Sequence, residues 1–262
     1  MYLLIYYQVL KFKSFIKSDD ADWVTFIHGA GGSSTIWHKQ VKFLKNHFNL
    51  LLIDLRGHGM SNQLTINDEY SLDLVVEEII EVNEHLEINK SHFIGVSLGS
   101  VIITKISEKY PYLVDKIVLS GAITSFSFRT LFLLRTVQII KGIIPNIVLY
   151  RLFAWIIMPR KGHQKSRQIF INEAKKIKAN AFKKWLKLLP EIKRTIESIP
   201  YIEINRPILF ISGHEDYLFV NQIEEFVKNK SNCILKKIKK SGHIVNIDQY
   251  KMFNQFTVKF LK

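Results

Sequence analysis

One serine in this chain stands between two glycines, in Gly95-Val96-Ser97-Leu98-Gly99, which has the form G-x-S-x-G. A short apolar run, Phe93-Ile94, precedes it, and a segment with helical apolar periodicity opens at Leu98. A strand-to-helix turn in this context lifts a serine hydroxyl above the end of its strand, and the glycines let the backbones close up without Cβ clashes. The five residues alone also fit a glycine-flanked surface turn. A serine hydroxyl is a weak nucleophile at neutral pH. The chemistry therefore needs an imidazole to take the proton during attack and a carboxylate to fix the imidazole's tautomer and stabilise the cation that forms.

Other stretches bear on that need. His28-Gly29-Ala30-Gly31-Gly32-Ser33 follows the apolar run Trp23–Ile27, and Asp54-Leu55-Arg56-Gly57-His58-Gly59-Met60-Ser61 follows Asn49–Ile53. Ile211-Ser212-Gly213-His214-Glu215-Asp216 ends a late apolar run, and Ser241-Gly242-His243 comes after it. Together with the serine pentapeptide, these stretches resemble the α/β-hydrolase superfamily. In that superfamily an oxyanion loop often reads H-G-x-x-G-S, D-x-R-G-x-G-x-S follows a sheet strand, the acid stands in G-x-x-D, and the histidine often stands in a later G-H.

The resemblance implies Ser97 as nucleophile, Asp216 as orienting acid and His243 as base, in the chain order expected of that fold. It also implies that the backbone N–H groups of Ala30 and Leu98 bind the oxyanion, with His28, Gly29, Gly95 and Gly99 supporting the loops. Glu215 is the rival acid, and register favours Asp216. Asp54 and Arg56 are expected to tie down the loop bordering the oxyanion site. His58 precedes the serine, an order that belongs to other folds, and is given no chemistry. A phosphate-binding loop is the competing reading of residues 28–33, but no Lys follows in P-loop register and no G-x-G-x-x-G is present. The chain departs from the family pattern after His243, where Asp248 stands for the usual acid as an expected helix cap and no proline follows. It departs again at Ser100, where many relatives carry Gly.

The elements that must position these residues are legible as apolar runs. Trp23–Ile27, Asn49–Ile53, Phe93-Ile94, Ile117–Ser120, Ile208–Ile211 and a run beginning at Cys233 read as buried strands, and residues 11–15 end a first strand running from the N-terminus. Helical patterns at residues 34–46, 70–86 and 98–110 lie between them. Strands without alternation, separated by amphipathic helices, predict an α/β fold with a mostly parallel, doubly wound sheet. The alternation breaks at residues 122–200, which read as an inserted helical cap, so residues 1–121 and 201–262 form the hydrolase core. Phe126, Phe128, Phe132, Leu133, Phe153, Trp155 and Trp185 of the insertion are candidates for lining an apolar pocket or for packing it on the sheet.

Charge follows the same division. Residues 122–200 carry sixteen Lys and Arg against Glu173, Glu191 and Glu197, a net +13 of the chain's +14. An anionic membrane surface is one expected partner for that segment, lying at the interface and not spanning it, since Arg129, Arg135, Lys141 and Arg151 interrupt every apolar stretch. Nucleic acid is not expected, because no binding motif accompanies the charge. The single Cys233 forms no internal disulfide and reads as a small buried strand residue; a fold held without disulfides fits a cytoplasmic location. No zinc-site spacing and no acidic calcium cluster is present, so neither metal nor organic cofactor is expected. The other histidines, His38, His47, His85, His92, His163 and His214, read as surface or satisfied core residues. The expected activity is cleavage of a carboxylic ester, thioester or lactone of an apolar acyl substrate through an acyl-enzyme. The alternatives are carbon–carbon bond hydrolysis or a menaquinone-pathway type of lyase reaction on the same side chains, and a non-enzymatic role in which the pocket binds a ligand and reports to a partner.

Overall fold

Seven apolar segments pair into one sheet: β1 (Phe12–Phe15), β2 (Trp23–Ile27), β3 (Asn49–Ile53), β4 (Ser91–Val96), β5 (Val114–Ser120), β6 (Ile208–Gly213) and β7 (Cys233–Ile238). Their order in this computed structural model is β1-β3-β2-β4-β5-β6-β7. Only β1 runs antiparallel, against β3; β2 to β7 are parallel. The structure describes residues 10–64, 70–140, 144–199, 202 and 204–262. The expected beginning of the first strand therefore lies outside the described residues before Leu10.

The inner strands lack an exposed polar face because both faces are covered. Val24, Phe26, Leu50, Leu52 and Ile94 point into one apolar cluster, while Ile27, Leu51, Ile53 and Phe93 point into the other. Alternate residues on one strand serve opposite layers, so the inner strands β2, β3 and β6 read as largely apolar, whereas the edge strand β1 carries exposed Lys and Ser and the edge strand β7 exposed Lys. Helices α2 (Leu72–His85) and α3 (Leu98–Lys109) build one layer. Helices α1 (His38–Leu44) and α11 (Tyr250–Leu261) build the other. Ser71 caps α2, its hydroxyl accepting from the Leu74 N–H at 3.0 Å.

Between β5 and β6 the chain forms α4 (Phe128–Ile140), α5 (Asn146–Ile157), α6 (Gln164–Ala174), α7 (Ala179–Lys187) and α8 (Leu189–Ser198). This helical insertion is fastened to both layers. Ala154, Ile157 and Phe170 join the cluster of α1 and α11, whereas Trp185, Ile192 and Ile196 join that of α2 and α3. Polar contacts reinforce the seam: Ser33 Oγ donates to Glu173 at 2.6 Å, the Leu72 N–H to Glu191 at 3.0 Å, and Trp185 Nε1 to the Arg56 carbonyl at 3.0 Å. Two of the three acids in the insertion are thus spent against the core. After β6 come α9 (Val220–Val227), then β7 and the short α10 (Val245–Asp248) before α11. No helix among the described residues is long and apolar enough to cross a membrane. Cys233 lies at the start of β7 and is half-buried, where the sequence reads as placing a buried strand residue.

Candidate active site

The turn at the end of β4 is built around a strained residue. Ser97 has φ 53° and ψ −119°, a left-handed conformation that a side chain bearing Cβ rarely adopts. Its neighbours hold it there. The Ser97 N–H donates to the Ser120 carbonyl at 3.1 Å, and the Ser97 carbonyl accepts from both the N–H and the hydroxyl of Ser100 at 2.8 and 2.6 Å. The Ser100 hydroxyl also accepts from the Ile123 N–H at 3.0 Å, so this departure from the family pattern ties the turn to the segment after β5. Gly95 and Gly99 permit close packing. A Cβ on Gly99 would stand 2.4 Å from the Ile27 carbonyl oxygen, and one on Gly95 would stand 2.5 Å from Ile103 Cδ1. Ser97 precedes α3 without capping it, and it alone in residues 91–100 is not fully buried. Its hydroxyl is left for other chemistry.

Two later loops deliver the other side chains. Asp216 follows β6 and is buried; its Oδ2 lies 2.9 Å from Nδ1 of His243, which is buried as well. A carboxylate can only accept, so Nδ1 carries the proton and Nε2 presents a lone pair. The Phe219 ring packs against the imidazole with centroids 5.1 Å apart. No described residue hydrogen-bonds to His243 Nε2, Ser97 included. Such pairs are often loose without substrate and tighten when it binds. Ser97 and His243 line the same pocket.

Glu215 is occupied elsewhere. Its carboxylate meets Arg160 at 2.8 Å and His163 Nε2 at 2.9 Å, both from the insertion. His163 is wholly buried and packs against Gly242, the residue before His243. The adjacent carboxylates of Glu215 and Asp216 therefore point to different histidines, one tethering the insertion and the other holding the ring in the pocket. The two loops are also joined directly, the Glu215 N–H donating to the Ser241 carbonyl at 2.9 Å. Asp248 does not cap the final helix as expected. It ends α10 and accepts from the Gly242 N–H at 2.9 Å, holding the histidine loop from the other side. Burial raises its carboxyl above the usual carboxylate range.

The loop of residues 28–33 borders the serine. Gly29 and Ala30 line the pocket beside Ser97 and Leu98. Leu98 opens α3, so its N–H is among the helix donors without an intrahelical acceptor. His28 shapes this loop: Nδ1 bonds the Gly29 carbonyl at 2.8 Å and Nε2 accepts from the Leu55 N–H at 3.0 Å. His58, given no role from sequence, does the same for the next residues. Its Nε2 accepts from the Gly31 N–H at 3.2 Å while Nδ1 bonds the Arg56 carbonyl at 3.1 Å. Both rings must be neutral to accept a backbone N–H. Burial lowers the pKa of each, with that of His58 pushed down to about 3, helped by neighbouring His28. Asp54 braces the loop as expected, accepting from the Ser34 and Met60 N–H groups at 2.5 and 2.9 Å. Arg56 reaches the other way and pairs with Glu78 on α2.

The pocket encloses about 200 Å³. Phe126, Leu133, Phe153 and Trp185 line it, as the sequence suggested for them. Phe128, Phe132 and Trp155 do not; helical phase turns them outward, and they are 83%, 66% and 54% exposed. The pocket's polar lining side chains are Ser97, His243, Thr130 and Tyr150. Tyr150 was not singled out from sequence. Its ring is clamped by Phe170 and Phe182, with centroids 5.8 and 4.9 Å away, and burial raises its phenol pKa.

A sequence profile described as alpha/beta hydrolase fold matches residues 22–157, more than half of the chain. A putative carbamate hydrolase, RutD, from Agrobacterium fabrum is 31% identical over 103 residues, which is 39% of each chain. Human protein ABHD8 is 25% identical over 259 residues, covering 94% of this chain and 56% of that protein. The chain thus spans well under two thirds of the length of these curated relatives. A solved meta-cleavage product hydrolase from Pseudomonas fluorescens superimposes with a TM-score of 0.75 at 22% identity, covering 95% of this chain and 93% of that one.

Proposed function

The chain belongs to the α/β-hydrolase fold family, and from that premise we propose that it is a serine hydrolase that cleaves a carboxylic ester of an apolar acyl group, or a related thioester or lactone. The observation that carries the reading is the strained Ser97 sharing a largely apolar pocket with His243, whose ring Asp216 holds at 2.9 Å. His243 Nε2 takes the hydroxyl proton as Ser97 Oγ bonds to the substrate carbonyl carbon. The negative charge that forms on the carbonyl oxygen is met by the N–H groups of Ala30 and Leu98, each donor of this kind contributing about 3 kcal/mol elsewhere. His243 then returns the proton to the departing alkoxide, leaving an acyl-enzyme. Water attacks that ester with the same proton relay and releases the acid. Asp216 keeps the imidazole in the tautomer that can accept and stabilises the imidazolium.

A serine at this position suits acyl transfer. Relatives with aspartate there form alkyl-enzyme esters instead. The insertion acts as a cap whose inner face selects substrate, and its apolar lining favours acyl chains over charged groups. A panel of p-nitrophenyl esters of increasing acyl length tests this. We expect kcat/KM to rise with chain length until the pocket is full and then fall, and Ser97→Ala to abolish turnover. Turnover of a vinylogous diketone with none of the esters would assign the site to carbon–carbon cleavage.

A further inference from the structure

Helices α4 and α5 are apolar on two opposite sides. The inner side of α4 gives Leu133, Leu134 and Val137 to the pocket, and that of α5 gives Leu149, Phe153 and Ile157. On the outer side of α4, Phe128, Phe132, Arg135 and Ile139 recur at helical spacing and form one row. On α5 the corresponding row is Val148, Leu152 and Trp155. These apolar side chains are exposed: 83%, 66% and 76% for Phe128, Phe132 and Ile139, and 45%, 47% and 54% for Val148, Leu152 and Trp155. A helix apolar all round normally has both faces covered, and an exposed surface of this kind marks an interaction site.

The charge around the rows says what covers them. No Asp or Glu occurs from Gly121 to Asn172; the exposed Arg135 stands within the α4 row, and the exposed Arg129 and Arg151 are adjacent in sequence to Phe128 and Leu152 of the two rows. Glu173 and Glu191 face the core, so they do not offset these cations. A second copy of the chain would bring like charges together. A surface of apolar tails beneath anionic headgroups is complementary to both features.

We propose that the outer faces of α4 and α5 dock on an anionic phospholipid surface, with Phe128, Phe132, Leu152 and Trp155 entering the acyl boundary and the arginines meeting headgroups. The protein lies on the bilayer without crossing it, and the same two helices separate the lipid from the pocket. This goes beyond the hydrolase reading and stands apart from its chemistry.

Vesicle co-sedimentation tests it, using phosphatidylcholine with and without phosphatidylglycerol. The full chain should bind anionic vesicles about tenfold or more tighter than neutral ones, with the difference reduced by high salt. Tryptophan emission should shift to the blue on binding, and Trp155→Phe should remove that shift. The Phe128→Ser, Phe132→Ser, Leu152→Ser variant should keep its circular dichroism and its turnover of a soluble short-chain ester while losing about tenfold or more in vesicle affinity. Ser97→Ala should bind as the native chain does, so failure of the hydrolase reading and failure of this one are distinguishable. Equal affinity for neutral and anionic vesicles, undiminished binding of the triple Phe128→Ser, Phe132→Ser, Leu152→Ser variant, or concentration-dependent dimers without vesicle binding would overturn the proposal.

Discussion

At the scale of single residues the account turns on which of two adjacent carboxylates faces His243. Motif register pointed to Asp216, but neighbouring positions in a loop are separated only by the direction each side chain takes. The structure separates them: Asp216 meets His243 at 2.9 Å, and Glu215 meets Arg160 and His163. We predict that Asp216→Asn lowers kcat by about 10³- to 10⁴-fold, since an amide can stabilise the wrong imidazole tautomer and no cation. Glu215→Gln should change kcat less than about tenfold and lower thermal stability instead, because it weakens a part-buried contact to a buried histidine. Steady-state kinetics and melting curves of the two variants check the contrast. That Ser97 and His243 share one pocket was legible as an expectation because a motif, a flanking strand and chain order agreed. From sequence His163 reads only as a surface or satisfied core residue; its role as a tether was not legible, since its carboxylate partner Glu215 lies 52 positions away and nothing local marks it.

Among the elements, the loop after β2 shows how support is hidden from sequence. His28 stands in a recognisable stretch, but His58 arrives from the loop after β3, and only the parallel pairing of β2 with β3 brings it to the Gly31 N–H. That bond carries a pH dependence with a definite sign. The folded-state pKa of His58 is depressed to about 3, so the unfolded chain binds this proton first as pH falls. The stabilisation is complete above the ordinary histidine pKa and is lost progressively as pH falls from there toward about 3. Between those limits the group contributes up to about 1.4 kcal/mol per pH unit. His58→Gln keeps an acceptor without the titration and should flatten that part of the stability curve. Denaturant midpoints measured across this pH window, in native and variant chains, give the comparison, and parallel curves would count against the role. Helical phase was equally hard to read in α4, where apolar residues run all round and periodicity does not distinguish Leu133, which faces the pocket, from Phe132, which faces out.

For the whole molecule, the sheet was legible because buried parallel strands leave apolar runs, and the run of helices between β5 and β6 was legible because the alternation of strand and helix stops after Ser120. How the insertion seats was not, since its anchors pair residues far apart in the chain: Glu173 with Ser33, Glu191 with the Leu72 N–H, and Trp185 with the Arg56 carbonyl. Their placement on both apolar layers predicts that insertion and core unfold together. Calorimetry of the native chain should show one transition. The Glu173→Gln, Glu191→Gln variant should lose about 1–3 kcal/mol for each contact, and a separate low-temperature transition in the native chain would show that the insertion is an independent unit.

The central claim is that Ser97 is a nucleophile activated by His243. Labelling with a fluorophosphonate probe, read by intact mass and peptide mapping, tests it most directly. One adduct per chain, located on Ser97, is expected, with labelling abolished in Ser97→Ala and slowed by orders of magnitude in His243→Ala. No adduct, an adduct on another residue, or equal labelling rates in native and His243→Ala chains would contradict it.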